Sequence, residues 1–192
     1  MATRKSTGRK ASDERTGRED DDNEDNNAAT QNASGDNDAI EMLTEDHQRV
    51  SEMFEEYESV KDDEEEGDKI QRVQEICLEL TIHSTVEEEI FYPAAREALG
   101  EDGADLLDEA EVEHTSVKDL IVQLSESQPS EDLYDAKVKV LGEYVKHHVN
   151  EEEGELFPKL REAEDFDVEA LGDQIAQRKQ ELREEFEEQL TS

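Results

Sequence analysis

The chain has 192 residues, 57 of them Asp or Glu against 20 Lys or Arg, for a formal net charge of -37. Only 32% are hydrophobic, tryptophan is absent, and Cys77 is the single cysteine. The length suits one domain with room for a tail, and one cysteine excludes an intrachain disulfide framework, so no oxidising compartment is implied. The basic start, Met1 to Lys10, has no apolar segment of the kind a secretory signal carries. No apolar run approaches the roughly 18–20 residues that span a bilayer. A soluble, cytoplasmic protein with no membrane partner is expected.

The charge admits two readings. Low hydrophobicity with high net charge is the composition of a disordered chain, which buries too little apolar area to offset chain entropy. It is also the composition of a folded domain from an organism that balances external salt with molar internal salt. At about 1 M salt the Debye length is only ~3 Å, so surface carboxylates stop repelling one another at a distance. Periodicity separates the two, because only a folded domain keeps a helical apolar stripe.

Residues 1–37 show no period. Arg4, Lys5, Arg9, Lys10, Arg15 and Arg18 are followed by an acidic, Asn- and Ser-rich run without an aromatic residue, which reads as a disordered tail. Without stacking aromatics, specific nucleic-acid binding by this tail is not expected. From Ala39 the pattern changes. Ile40, Leu43, His47, Val50, Phe54 and Tyr57 step by three and four along one helix face, up to the break at Lys61–Asp68. Ile70, Val73, Cys77, Leu80, then His83 or Ser84, Glu87, Ile90 and Ala94 mark a second, longer helix, ended by Gly100–Gly103. Leu107, Ala110, His114, Val117, Ile121 and Leu124 make a third, stopped at Ser127–Pro129, and Val138, Leu141, Val145, His148, Glu152 and Leu156 a fourth. Val168, Leu171, Ile175, Leu182 and Phe186 form a fifth stripe. Short loops return each helix beside its predecessor, so the expected fold is all-α: an up-down-up-down four-helix bundle over 38–164, with a C-terminal helix over 165–192.

Four of the five histidines, His47, His83, His114 and His148, fall on the apolar stripes, one per bundle helix. A lone core histidine is usually satisfied by its neighbours. Four are different, since unpaired buried polar groups cost about 1–3 kcal/mol each and a domain has little stability to lose. A metal centre shared between the helices would satisfy all of them. His83…Glu87 and His148…Glu152 are i,i+4 pairs, which place an imidazole and a carboxylate on one helix face. The pairs repeat in register: HSTVEEEIFYP (83–93) lies over HVNEEEGELFP (148–158), and EDHQRV (45–50) over VEHTSV (112–117). Two similar helical hairpins related by a pseudo-two-fold axis would bring two copies of one ligand set to a central two-metal site.

The H…HxxxE…H…HxxxE pattern, with FYP and LFP after its second and fourth members, resembles the hemerythrin-like (HHE cation-binding) domain, over about Ile40 to Ala163. The acidity is that of a halophilic archaeal type. The resemblance implies a non-haem di-iron centre, oxo- or hydroxo-bridged, with His47, His83, Glu87, His114, His148 and Glu152 as ligands and O2, peroxide or nitric oxide as the small molecule bound or sensed. Handling of iron is a further possibility within the family. O2-carrying hemerythrins place another histidine four residues after the first ligand of the third helix, where this chain has Lys118. The shell is then one imidazole short, which leaves open positions or recruits Glu88, Glu111 or Glu113, and makes sensing or peroxide or NO chemistry the stronger expectation over carriage.

Other residues have plainer readings. His147, about 100° round the helix from His148, is expected at the surface or just outside the ligands. Cys77 is expected as core filler and Lys118 as reaching solvent; Tyr57, Tyr92 and Tyr144 are expected as packing, although a phenol near the metals could donate a hydrogen bond to bound oxygen. Within Glu87–Glu89 and Glu151–Glu153, only the residue four after the histidine is expected to point inward. Imidazole and carboxylate without thiolate suit iron, with manganese or zinc possible. A ferritin-like site would need two Glu-x-x-His motifs and only Glu111…His114 has that form. The function classes left open are a metal and O2-binding module, a di-iron enzyme removing peroxide or nitric oxide, and a metal-free helical interaction protein.

Overall fold

The computed structural model describes residues 38–63 and 65–191; the tail expected over 1–37 lies outside the described residues. All regular structure among the described residues is helical. Helices α1 (Ala39–Val60) and α2 (Glu66–Val86) form one hairpin, and α4 (Ala104–Ser125) and α5 (Tyr134–Glu151) form another. Two short helices, α3 (Tyr92–Leu99) and α6 (Phe157–Glu162), continue α2 and α5, and α7 (Val168–Thr191) packs along α1 and α2. No described helix is long and apolar enough to cross a membrane.

Local chemistry sets these limits. Asp38 caps α1, its carboxylate accepting from the amides of Ile40 and Glu41 at 2.9 and 3.0 Å. The Gly100–Gly103 break is a turn in which Gly100 takes φ 56°, a left-handed conformation that favours glycine. The second and fourth helices differ from the expected uninterrupted α-helices. Each passes through a π-turn, at Glu87–Phe91 and at Glu152–Leu156, where the amides of Tyr92 and Phe157 bond to the carbonyls of Glu87 and Glu152 five residues back. Pro93 and Pro158, which follow at once, have no N–H to continue an i→i-4 ladder, and the wider turn takes up the register.

The core has two apolar clusters. One contains Ile40, Leu43, Ile82, Val86, Phe91, Leu107, Ala110, Leu156 and Phe157, together with Ile175 and Leu182 of α7. The other contains Val50, Tyr57, Val73, Ile76, Leu80, Val117, Leu124, Val138 and Leu141. Cys77 packs against the second cluster as expected, and burial pushes its thiol up to about 12. Tyr57 is buried there and donates to Asp135 at 2.6 Å, but Tyr144, expected to pack, is 46% exposed. Each of His47, His83, His114 and His148 lies in sequence between members of the two clusters. A polar layer therefore divides the bundle core.

Candidate metal centre

His47, His83, His114 and His148 are all buried, and their inner nitrogens meet in pairs. The Nε2 atoms of His47 and His83 are 3.2 Å apart, and those of His114 and His148 are also 3.2 Å apart. Two carboxylates lie between the pairs. Glu87 reaches His83 Nε2 at 3.2 Å with one oxygen and His114 Nε2 at 3.3 Å with the other. Glu152 Oε2 lies 3.2 Å from His47 Nε2 and 3.4 Å from His148 Nε2. Each carboxylate thus touches one imidazole of each pair. These approaches lack hydrogen-bond geometry, so both oxygens of Glu87 and Oε2 of Glu152 are buried without a donor.

The outer nitrogens are held as regularly. His47 Nδ1 lies 2.9 Å from Glu153, His83 Nδ1 3.1 Å from Asp46, His114 Nδ1 2.9 Å from Glu88 and His148 Nδ1 2.8 Å from Glu113. An ionised carboxylate only accepts, so each Nδ1 carries a proton, and in the neutral imidazole each Nε2 turns a lone pair inward. The pattern follows the repeat. The residue before the first histidine of a hairpin (Asp46, Glu113) holds the second histidine of the same hairpin. The residue after the inner glutamate (Glu88, Glu153) holds the first histidine of the other hairpin.

Four inward imidazole nitrogens and two carboxylates converge in one buried space, where cations would offset the carboxylate charge. Protons serve when nothing else does. Burial alone would depress His83, but the Glu87 charge and the Asp46 hydrogen bond raise it to about 10. His114 is raised to about 9 against its burial by Glu87 and Glu88, and His148 is raised by Glu152 and Glu113. Glu87 is held well below the usual carboxylate range, despite burial, by His83 and His114. The donors fit metal ions equally well. Ligand atoms of His47, His83, Glu87 and Glu152 lie within 4.8 Å of one another, as do those of Glu87, His114 and His148. The six residues expected from sequence are therefore together, in two groups that share Glu87.

Other residues depart from expectation. Tyr92 donates to Glu152 Oε1 at 2.9 Å, with its hydroxyl 3.4 and 3.5 Å from the Nε2 atoms of His114 and His148. Burial and the charges of Glu87 and Glu152 raise its pKa well above the usual value, so the phenol keeps its proton. Phe157, at the matching place in the repeat, stacks on His47 with ring centres 5.9 Å apart. Glu88 and Glu153, expected among solvated carboxylates, bind imidazoles instead. Lys118 does not simply reach solvent: its ammonium lies 2.7 Å from Glu88. Glu111 pairs with Arg96 at 2.9 Å, while Glu113 serves His148 from outside. His147 is at the surface, as expected, between Glu113 and Glu151. The sequence signal for the outer carboxylates was their recurrence in both hairpins beside a histidine or its glutamate.

A cavity of about 20 Å³ adjoins the imidazoles, lined by all four histidines with Val50, Leu80, Val117, Val145 and Val149 among its apolar walls. That is room for one water-sized molecule.

Known proteins share the sequence pattern and the fold. A DNA nickase from Nostoc sp. is 32% identical over 126 residues, 63% of this chain, which spans only 33% of that relative's length. A solved hemerythrin HHE cation binding domain-containing protein from Mycobacterium kansasii shares the fold, with a TM-score of 0.66 at 24% identity over 81% of this chain and 93% of its own. The sequence profile of the hemerythrin HHE cation binding domain matches residues 38–160, and the chain belongs to that family.

Proposed function

We propose that the chain holds two metal ions, iron in the first place, one between His47 and His83 and one between His114 and His148, with Glu87 and Glu152 shared. The observation that carries this reading is the orientation of donors: four imidazole Nε2 atoms and two carboxylates converge inward, three of the carboxylate oxygens without a hydrogen-bond partner, and every outward imidazole nitrogen is already satisfied. Imidazole and carboxylate without thiolate suit iron, manganese or zinc, and disfavour calcium or magnesium. Bound iron would supply one-electron chemistry toward O2, peroxide or nitric oxide. The protein's part is to hold the donors, exclude water with valines and offer a space for one small molecule.

Tyr92 favours a second reading, removal of peroxide. Its hydroxyl is a retained proton beside one imidazole pair, whereas Phe157 offers the other pair none. A DNA-directed role of the kind named for the Nostoc relative gains no support from a chain with 57 acidic and 20 basic side chains, since phosphate backbones are held by Lys and Arg.

The test is metal per chain after anaerobic loading with ferrous iron and gel filtration. Two ions in the wild type, lost in Glu87→Ala and Glu152→Ala but kept in the exposed Glu155→Ala, are expected. Equal loss in all three variants, or no uptake by the wild type, would defeat the assignment. With metal content matched, Tyr92→Phe should slow peroxide consumption and leave reversible ligand binding in place.

A further inference from the structure

Among the described residues, two lysines approach the outer carboxylates of the centre, one for each imidazole pair. Lys179 of α7 pairs with Asp46, which holds His83. Lys118 of α4 pairs with Glu88, which holds His114. The two arrive differently. Lys179 comes from a helix outside the bundle and is nearly buried, its side chain 14% exposed against 17% for Asp46. Lys118 comes from within the bundle and is 44% exposed. Glu153 and Glu113, which hold the remaining imidazoles, have His47, and His148 with exposed His147, as their paired bases. The nearby Arg183 is engaged with Glu79 at 2.7 and 2.8 Å.

The charges then balance. Glu87, Glu152 and the four outer carboxylates contribute six negative charges, and the two ammonium groups bring the shell to minus four when the imidazoles are neutral. Two divalent cations carry plus four. Glu87 and Glu152 are buried while Glu88 and Glu153 are partly exposed, so net charge left over at the centre would bear a desolvation cost that a balanced shell reduces.

We propose that Lys118 and Lys179 are positioning residues of the metal centre, each neutralising one outer carboxylate of its imidazole pair, so that together they match the shell to two divalent ions. This rests on the two-metal reading above. It gives α7 a part in the chemistry, since a residue near its middle fixes the electrostatics of His83. Lys118, at the place where O2-carrying relatives would have a further imidazole, acts on the centre as a charge through Glu88.

The experiment compares full-length wild type with Lys118→Met, Lys179→Met and the corresponding Lys→Arg variants. Affinity for manganese(II) is measured by chelator competition, and the midpoint potential is measured on iron-loaded protein. Removing a positive charge from the shell should tighten divalent-ion binding by about tenfold and lower the potential, while arginine should restore both. The Lys118 effect should shrink as salt rises and the Lys179 effect should not, because exposed charges are screened and buried pairs much less so. A lysine that served only as a clamp would do the reverse: its loss would weaken binding or leave it unchanged, without moving the potential. Either result overturns the proposal. Should Lys179→Met not fold, the half-exposed Lys118→Met decides the question alone. A wild type that binds no metal removes the two-metal reading itself, and this proposal with it.

Discussion

Each imidazole of the centre is gripped on its outer nitrogen by a carboxylate and turns its Nε2 inward, so on the proposed reading the orientation of the ligands would depend on residues that never meet the metal. Loss of such an outer partner typically costs about 10–100-fold in metal affinity. Glu153→Ala should show that loss through His47, whereas Glu155→Ala, two residues on and exposed, should show none; chelator competition on both variants reads the difference. The histidines and their i,i+4 glutamates were legible in the sequence because they occupy apolar stripes twice over. Glu153 was not, because in so acidic a chain one more glutamate beside another carries no signal of its own. Tyr92 was hidden by geometry. At 100° per residue it falls about 140° from Glu87 on an α-helical wheel, and only the π-turn brings both to the interior.

At the scale of elements, the repeat explains where α7 sits. Residues of the first hairpin that share a cluster with α7, among them Met42, Leu78 and Ile82, correspond in the repeat to Glu109, Glu143 and His147 of the second. An apolar helix face docks on the first set and finds charge on the second. Arg178 with Glu89, Lys179 with Asp46 and Arg183 with Glu79 then fix the register of α7 on that hairpin. The helix and its stripe were readable from periodicity, but its partner was not, since a stripe says what is buried and not against what. Ile175 is fully buried in this contact. Ile175→Ala should lower unfolding stability by about 2–4 kcal/mol, the usual cost of removing a buried branched side chain. Denaturant melts of the loaded and metal-free protein measure it; a change under about 0.5 kcal/mol, the size of ordinary surface substitutions, would show that α7 is not part of the cooperative unit.

For the whole molecule, stability is set by two opposed demands of the same charge. The net charge of -37 repels itself across the surface, and added salt screens that repulsion. The metal-free protein should therefore melt higher as KCl rises, and the loaded protein, with the buried carboxylates neutralised, should gain less. The interior adds a dependence on pH that salt cannot screen. His83 and His114 titrate near 10 and 9 when folded, against an ordinary 6.5, so their protons stabilise the metal-free fold fully below pH 6.5. That contribution is lost as pH climbs through the folded values. Glu87 works in the other direction: its depressed pKa stabilises above the ordinary 4.5 and is lost as acid is added. The metal-free protein should be most stable between about pH 4.5 and 6.5 and soften steadily toward pH 10. Metal bound as proposed would reverse the slope on the alkaline side, because it would take the same Nε2 lone pairs and displace those protons. Thermal melts from pH 5 to 10 at about 2 M KCl, where the surface term is screened, should give falling midpoints with chelator and level or rising ones with ferrous iron under anaerobic conditions. Parallel slopes in the two series would mean that protons and metal do not compete for the Nε2 atoms of His83 and His114.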